Sequence, residues 1–192
     1  TVFTIHNLAH MGIFDRATFD RLGLPQVLWN EHGMEFYNQC SFIKAGLVFA
    51  DHITTVSPTY ATEICSAPGG MGLEGLLRQR CDNLVGILNG IDSSTWDPAT
   101  DPFLAHRYDA NSLHLKTRNK TALQHEMRLT EHTDRPLLGF VGRLAEQKGL
   151  ELLLPVLEDI IGSPAQIVIL GKGDPDYELR LRAQAQAHPE SI

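Results

Sequence analysis

The second half of the chain alternates strictly between short apolar runs and longer amphipathic ones, and few folds accommodate that pattern. Pro136 to Val141 is short, apolar and glycine-containing, and Leu150 to Ile161 carries helical spacing. Gln166 to Leu170 is again a short β-branched run, and Asp176 to Ala187 again reads as a helix. Strands of five or six residues separated by helices imply right-handed crossovers and a parallel sheet. The same alternation, less regular, runs through the first half. Thr1 to Ile5, Ile53 to Val56 and Leu84 to Leu88 read as strands. Phe36 to Ala50 reads as a helix through Phe36, Cys40, Ile43, Leu47 and Ala50. His6 to Gly33 reads as loop with a short helix, and Leu73 to Arg80 as another short helix. Ser57-Pro58 has the capping residue and first-turn proline of a helix start, running to about Cys65. Asn111 is placed to cap a helix reaching about Met127. The predicted class is α/β with parallel sheets.

Between these halves, Asn89 to Pro102 is rich in Asp, Ser, Thr and Pro and breaks all periodicity, as a linker does. With 192 residues there is enough chain for a sizeable core. A net charge of −7 argues against nucleic acid or an acidic membrane as the main partner, so any anionic substrate must be met by local cations. Cys40, Cys65 and Cys81 lack metal-site spacing and suit free thiols in a reducing compartment. No apolar run approaches the ~18 residues of a membrane span. The chain opens directly in a β-like run without an initiator methionine, and both ends are expected to continue into a longer protein.

The segment with most chemical content is Gly139-Phe140-Val141-Gly142-Arg143-Leu144-Ala145-Glu146-Gln147-Lys148-Gly149-Leu150. A strand ends in glycine, delivers Arg143, and five residues later Lys148 precedes a helix. Two fixed cations and free backbone N–H groups at the carboxyl end of a parallel strand suit an anionic ligand such as a diphosphate. An ordinary solvated βα loop would also read this way. Three further motifs point elsewhere. Gly70-Met71-Gly72-Leu73-Glu74-Gly75 fits G-x-G-x-x-G but follows a helix and Ala67-Pro68, where dinucleotide binding requires a strand. Asp174-Pro175-Asp176 fits the D-x-D of metal-dependent sugar transfer but sits where acids cap a helix. His6 and His10 have zinc-pair spacing without a third ligand. His6-Asn7 and Asn89-Gly90 each end a strand, where side chains can reach a ligand, although each also reads as a structural residue or a turn.

Taken together, Thr4-Ile5-His6-Asn7-Leu8-Ala9, Phe42 to Asp51, Thr55 to Ile64, Met71 to Leu77, Leu88 to Asp92, Trp96-Asp97-Pro98 with Asp101, the arginine–lysine segment and Leu170 to Pro175 resemble bacterial glycogen synthase and plastid starch synthase. The resemblance runs nearly end to end in one register. It implies the glycosyltransferase-B fold, with parts of two Rossmann-like lobes. Residues 1–91 would be the C-terminal half of the first, acceptor-side lobe, and 92–192 the N-terminal half of the second, nucleotide-sugar-binding lobe. The implied activity is transfer of glucose from ADP-glucose to the non-reducing end of an α-1,4-glucan, with retention and without a metal or other cofactor.

Carried over residue by residue, the resemblance makes Arg143 and Lys148 the grip on the diphosphate. His6 would bond the donor glucose near its 6-hydroxyl, and Asn7, Asn89 and Gly142 would complete the substrate shell. The expected location is the cytoplasm, or a plastid in a plant. The family's Lys-Thr-Gly-Gly loop and Glu-Pro-x-Gly segment are absent from this chain, so the chain alone is expected to be inactive. Pro68-Gly69-Gly70-Met71 also departs from the pattern, since relatives usually carry an aromatic residue and one more position there. Two rival expectations remain: a non-catalytic nucleotide- or glucan-binding module of the same fold, and another transferase of that fold, such as a sucrose synthase-like enzyme.

Overall fold

The computed structural model describes residues 1–192, which divide into two compact units, Thr1–Ile91 and Asp92–Ile192. In the first unit β1 (Val2–Ile5) is followed by β2 (Ile13–Phe14), α1 (Arg16–Arg21), β3 (Glu35–Phe36), β4 (Gln39–Ser41) and α2 (Phe42–Phe49). Then come β5 (His52–Thr55), α3 (Pro58–Glu63), α4 (Glu74–Gln79) and β6 (Leu84–Gly86). β1, β5 and β6 form a parallel sheet with β5 in the middle, while β2, β4 and β3 form a small antiparallel one.

Alternation along β1 and β5 sends Ile5 and Ile53 into a core with Leu8, Met11, Leu47, Ile64, Leu73 and Leu77. The opposite register positions Thr4 and Thr54 share a hydroxyl hydrogen bond of 2.8 Å. Gly46 is the contact point between α2 and β1. A Cβ there would lie 2.4 Å from the Phe3 ring, so only glycine allows this approach. A second small core, Phe19, Met34 and Cys40, lies under the antiparallel sheet.

The helix expected over 36–50 begins only at Phe42. Phe36 and Cys40 lie instead on the hairpin of β3 and β4, whose two turn residues Tyr37 and Asn38 are left-handed, with φ of 50° and 62°. Ser41 is extended and its hydroxyl accepts from Lys44 N at 3.1 Å, which starts the helix. Ser57 caps α3 in the same way, accepting from Tyr60 N at 3.1 Å with Pro58 in the first turn. The third strand is shorter than the apolar run suggests. Ile87 N still donates to Thr55 O at 2.8 Å, but Ile87 and Leu88 are exposed.

In the second unit α5 (Lys116–Glu126) precedes β7 (Leu137–Val141), α6 (Leu150–Gly162), β8 (Gln166–Leu170) and α7 (Pro175–Ala187). Asn111 does not cap α5. Asp109 organises that entry, accepting from Asn111 N, Ser112 N and Ser112 Oγ, before a 3-10 turn at Leu113–Leu115. β7 and β8 pair in parallel from Leu137↔Gln166 to Val141↔Leu170, joined through α6. Their core gathers Leu144, Leu150, Leu157, Ile167, Tyr177 and Leu181. Gln124 and Gln166 are fully buried yet satisfied. Gln124 Nε2 donates to Gln166 Oε1 at 2.6 Å and to His132 O at 3.2 Å. Gln166 Nε2 donates to Thr130 O at 2.8 Å and Glu190 O at 3.0 Å. The pair thereby ties α5, β8 and the C-terminal turn together. No helix is long and apolar enough to cross a membrane.

Candidate functional site

In a parallel sheet all strands deliver their following loops to one edge, and the sequence-predicted residues collect there in two groups. In the first unit His6 and Asn7 follow β1, and Asn89 lies three residues past β6, all at the carboxyl edge of one sheet. His6 and Asn89 are exposed and Asn7 is half-buried. Asn7 Oδ1 accepts from Ala9 N at 3.0 Å and Asn7 O from His10 N at 3.2 Å, so a tight turn holds the loop and leaves the Asn7 amide NH2 free. The Tyr60 hydroxyl accepts from Leu8 N at 2.9 Å and pins this loop to α3. Tyr60 was not singled out from the sequence. Its signal is its place three residues after the Ser57 cap, on the helix that follows the neighbouring strand.

In the second unit Gly142, Arg143 and Lys148 occupy the loop between β7 and α6. Leu144, only 3% exposed, plugs this loop into the core. It bridges Gly173 in parallel register, with Leu144 N donating to Lys172 O at 3.1 Å and Leu144 O accepting from Asp174 N at 2.8 Å. Residues 146–148 form a 3-10 turn, and Gly149, left-handed at φ 78°, turns the chain into α6. A side chain at that φ would be strained, so the glycine sets the turn that separates Lys148 from the helix. Arg143 and Lys148 are both exposed, and neither makes an ion pair or a side-chain hydrogen bond. Two cations are therefore available on a loop whose backbone is anchored.

The expectation of free strand-end amides holds only in part. Gly142 N donates to Leu170 O at 3.0 Å, and Leu144 N is engaged as described. The amides of Leu150 and Glu151, at the start of α6, have no backbone acceptor. Gly142 offers open space instead, since a Cβ there would meet nothing nearer than 3.9 Å. The register also brings a third cation that sequence reasoning left within a motif. Lys172 lies opposite Arg143, because Val141 pairs Leu170 and Leu144 pairs Gly173, and strands so paired are about 5 Å apart. Lys172 is exposed and makes no ion pair.

Asp174 caps α7, accepting from Asp176 N at 2.9 Å, and Asp176 lies 3.7 Å from Arg180 across one turn. Both acids of the D-x-D thus have helix-start roles. Tyr177 stands against Glu151, its hydroxyl 3.4 Å from Glu151 Oε1. Burial first, and the nearby charges of Glu151, Glu146 and Asp174 next, hold its phenol above the usual value. The Gly70–Gly75 segment follows α3 and a turn, not a strand, and Met71 and Gly72 are left-handed. His6 and His10 belong to no cluster of three or more groups able to hold a metal.

Residues 1–79 match the model of the starch synthase catalytic domain. Over its whole length the chain is 50% identical to glycogen synthase 2 of Nitrosococcus oceani and 51% identical to a glycogen synthase of Thioalkalivibrio sulfidiphilus, covering 39% and 40% of those proteins. Among solved structures, it superposes on the catalytic domain of starch synthase IV from Arabidopsis thaliana, bound to ADP and acarbose. The TM-score is 0.89 at 33% identity, over 98% of this chain and 40% of that one. The fold is accordingly α/β with parallel sheets, of the glycosyltransferase-B type. The chain belongs to the glycogen synthase and starch synthase family, and it spans about 40% of the length of the relatives it matches.

Proposed function

We propose that the protein carrying this chain is a retaining glucosyltransferase that moves glucose from ADP-glucose to the non-reducing end of an α-1,4-glucan. The observation that carries this reading is the β7–α6 loop: two exposed, unpaired cations on a backbone that Leu144 locks into the core. Cleavage of the glycosidic bond of a nucleotide-sugar places growing negative charge on the departing diphosphate. Arg143 and Lys148 stabilise that charge, which rises toward the transition state, so they act on the rate and not only on binding. Lys172, opposite Arg143 in register, adds a third positive charge to the same edge. Fixed cations do here what a divalent metal does in D-x-D enzymes, and no metal or cofactor enters the proposal.

At the carboxyl edge of the first unit, His6 bonds the donor glucose near its 6-hydroxyl, while Asn7 and Asn89 support the sugar. Gly142 leaves room for the substrate beside Arg143. Substitution takes place on the face from which the diphosphate departs, and a diphosphate oxygen helps to remove the acceptor's proton. ADP as the donor's nucleotide is supported by the solved relative, described as bound to ADP and acarbose. The 192-residue chain by itself, lacking the Lys-Thr-Gly-Gly loop and the Glu-Pro-x-Gly segment, is proposed to bind without turning over. The test is glucose transfer to glycogen by the longer protein that carries this chain. Lys148→Ala should lower turnover about a hundredfold, near 3 kcal/mol of barrier, with unchanged thermal unfolding. Full activity in that variant would remove Lys148 from the chemistry.

A further inference from the structure

Two of the three cysteines lie away from the carboxyl-edge groups, at the opposite, amino edge of the first sheet. α3 runs back along β6, as the helix of a parallel crossover does. Its first turn sits over the end of that strand, where a Cβ on Gly86 would meet Ser57 O at 2.2 Å. Its last turn accordingly lies toward the start of the strand, at Leu84. Cys65 follows the Ile64 cap of α3, its amide donating to Thr62 O at 3.2 Å. Cys81 opens the 3-10 turn Cys81–Asn83 that leads into Leu84. Antiparallel packing thus brings the two cysteines to one end of the unit.

The surroundings tie them more closely. Arg78, three residues before Cys81, sends Nη1 to Cys65 O at 3.1 Å and fastens the end of α4 to the end of α3. Cys65 and Leu84 both pack against the core that holds Ile64 and Leu77. The two thiols also feel each other. Burial first, and then the charge of Cys81, raise the Cys65 thiol above its ordinary value, against a smaller lowering by Arg78.

Neither thiol is committed elsewhere. Cys65 Sγ donates to Ala61 O at 3.2 Å, and Cys81 Sγ to Asp82 Oδ1 at 3.8 Å, both weak bonds. They differ in access, since Cys81 is exposed and Cys65 half-buried. An oxidant meets Cys81 first, with Cys65 placed behind it as a resolving thiol, the arrangement of redox-responsive pairs. Cys40 is the contrast, fully buried in a separate core with Phe19 and Met34.

We infer that Cys65 and Cys81 form a reversible disulfide when the protein meets a peroxide. The Cys81 thiolate attacks one oxygen of hydrogen peroxide. The O–O bond breaks, a sulfenic acid forms, and the departing hydroxide takes up the thiol proton as water. The Cys65 thiolate then attacks the Cys81 sulfur, the S–O bond breaks, and a second hydroxide leaves as water with the Cys65 proton. In sum the two thiols give two electrons to the peroxide, which becomes two waters, and a dithiol reductant reverses the change. The bridge staples the end of α3 to the turn entering β6. α3 holds the His6–Asn7 loop through Tyr60, and β6 leads toward Asn89, so the staple joins two supports of the first-unit group. Its formation does not depend on the proposed transfer chemistry.

The test exposes the 192-residue chain to hydrogen peroxide, alkylates the remaining thiols and maps the peptides by mass spectrometry. Wild type should lose two of its three free thiols and the mass of two hydrogens, with Cys65 and Cys81 in one linked peptide pair. Dithiothreitol should restore both thiols. Cys81→Ser, a change at the exposed position that spares the core, should leave Cys65 reduced under the same treatment. Cys65→Ser should leave Cys81 as an unresolved sulfur acid or a bridge between two chains. The linked form should unfold about 5 °C higher than the reduced one, and Cys81→Ser should show no such rise. Oxidised wild type in which Cys65 and Cys81 stay unlinked, or in which either joins Cys40, would overturn the inference. A linked form with an unshifted unfolding temperature would overturn the staple.

Discussion

The two units organise the same kind of loop with different support. In the first, β5 has a strand on each side, and the loops after β1 and β6 leave a sheet backed by eight buried apolar residues. In the second, β7 and β8 have only each other, and both are edges. Val141 and Leu170, the last residues of these strands, are 79% and 65% exposed. Two-stranded sheets are marginal on their own. The second unit compensates with the Leu144 plug, the helices on its core and a satisfied pair of buried glutamines. The lesson is that the backbone of a loop carrying two cations can be anchored by one buried leucine and a parallel bridge, without a large sheet beneath it.

The comparison can be broken first in the core. Leu47→Ala should cost the first unit about 3 kcal/mol, because Leu47 is fully buried between α2 and the sheet. Denaturant unfolding followed by hydrogen exchange should show the loss in the first unit and not in the second. Equal losses in both would mean that the two do not unfold separately. Next in size, Gln166→Ala should cost the second unit about 2 kcal/mol, since the Gln124 amide and two backbone carbonyls lose their partner. An unchanged midpoint would show that the buried pair is dispensable.

Gly46→Ala sharpens the contrast from the other side. The added methyl must displace the Phe3 ring, at about 1–3 kcal/mol. A neutral result would show that α2 has slack against β1.

The smallest effect concerns Asp92, the first residue of the second unit. Hydrogen bonds from Ser94 and Thr95, side chains first, bring its pKa down from 3.8 to about 2. The group is depressed on folding, so its contribution is complete above the ordinary carboxylate range and is lost as pH falls from near 4 through 2. An NMR titration of Asp92 should show a midpoint near 2, and a midpoint near 3.8 would mean that the turn does not hold in solution.

Much of this arrangement was legible in the residues, for particular reasons. The β-branched runs at Ile53 and Ile167 announce their strands because such side chains fit a pleated, half-buried surface. Ser57-Pro58 announces α3 because its cap is local. The start of α2 is masked in the sequence because Phe36, Cys40 and Ile43 keep helical spacing across a hairpin whose turn, Tyr37-Asn38, lacks the expected glycine. Asn111 has the residue type of a cap, but it is Asp109, two residues earlier, that accepts the amides of the turn there. At the candidate site, Arg143 and Lys148 were visible because both lie on one continuous loop. Lys172 was not, because its position opposite Arg143 arises from strand pairing between residues far apart in sequence. The free state of both cations also lay beyond the sequence, since nearby Glu146 and Glu151 could have paired with them.

The most direct measurement is the affinity of the 192-residue chain for ADP, compared with the Arg143→Ala, Lys148→Ala double variant at two salt concentrations. Binding should weaken about tenfold or more in the variant, and its salt dependence should flatten, with unfolding temperature unchanged. Equal ADP affinity and equal salt dependence in the two proteins would contradict the assignment of these cations to the diphosphate.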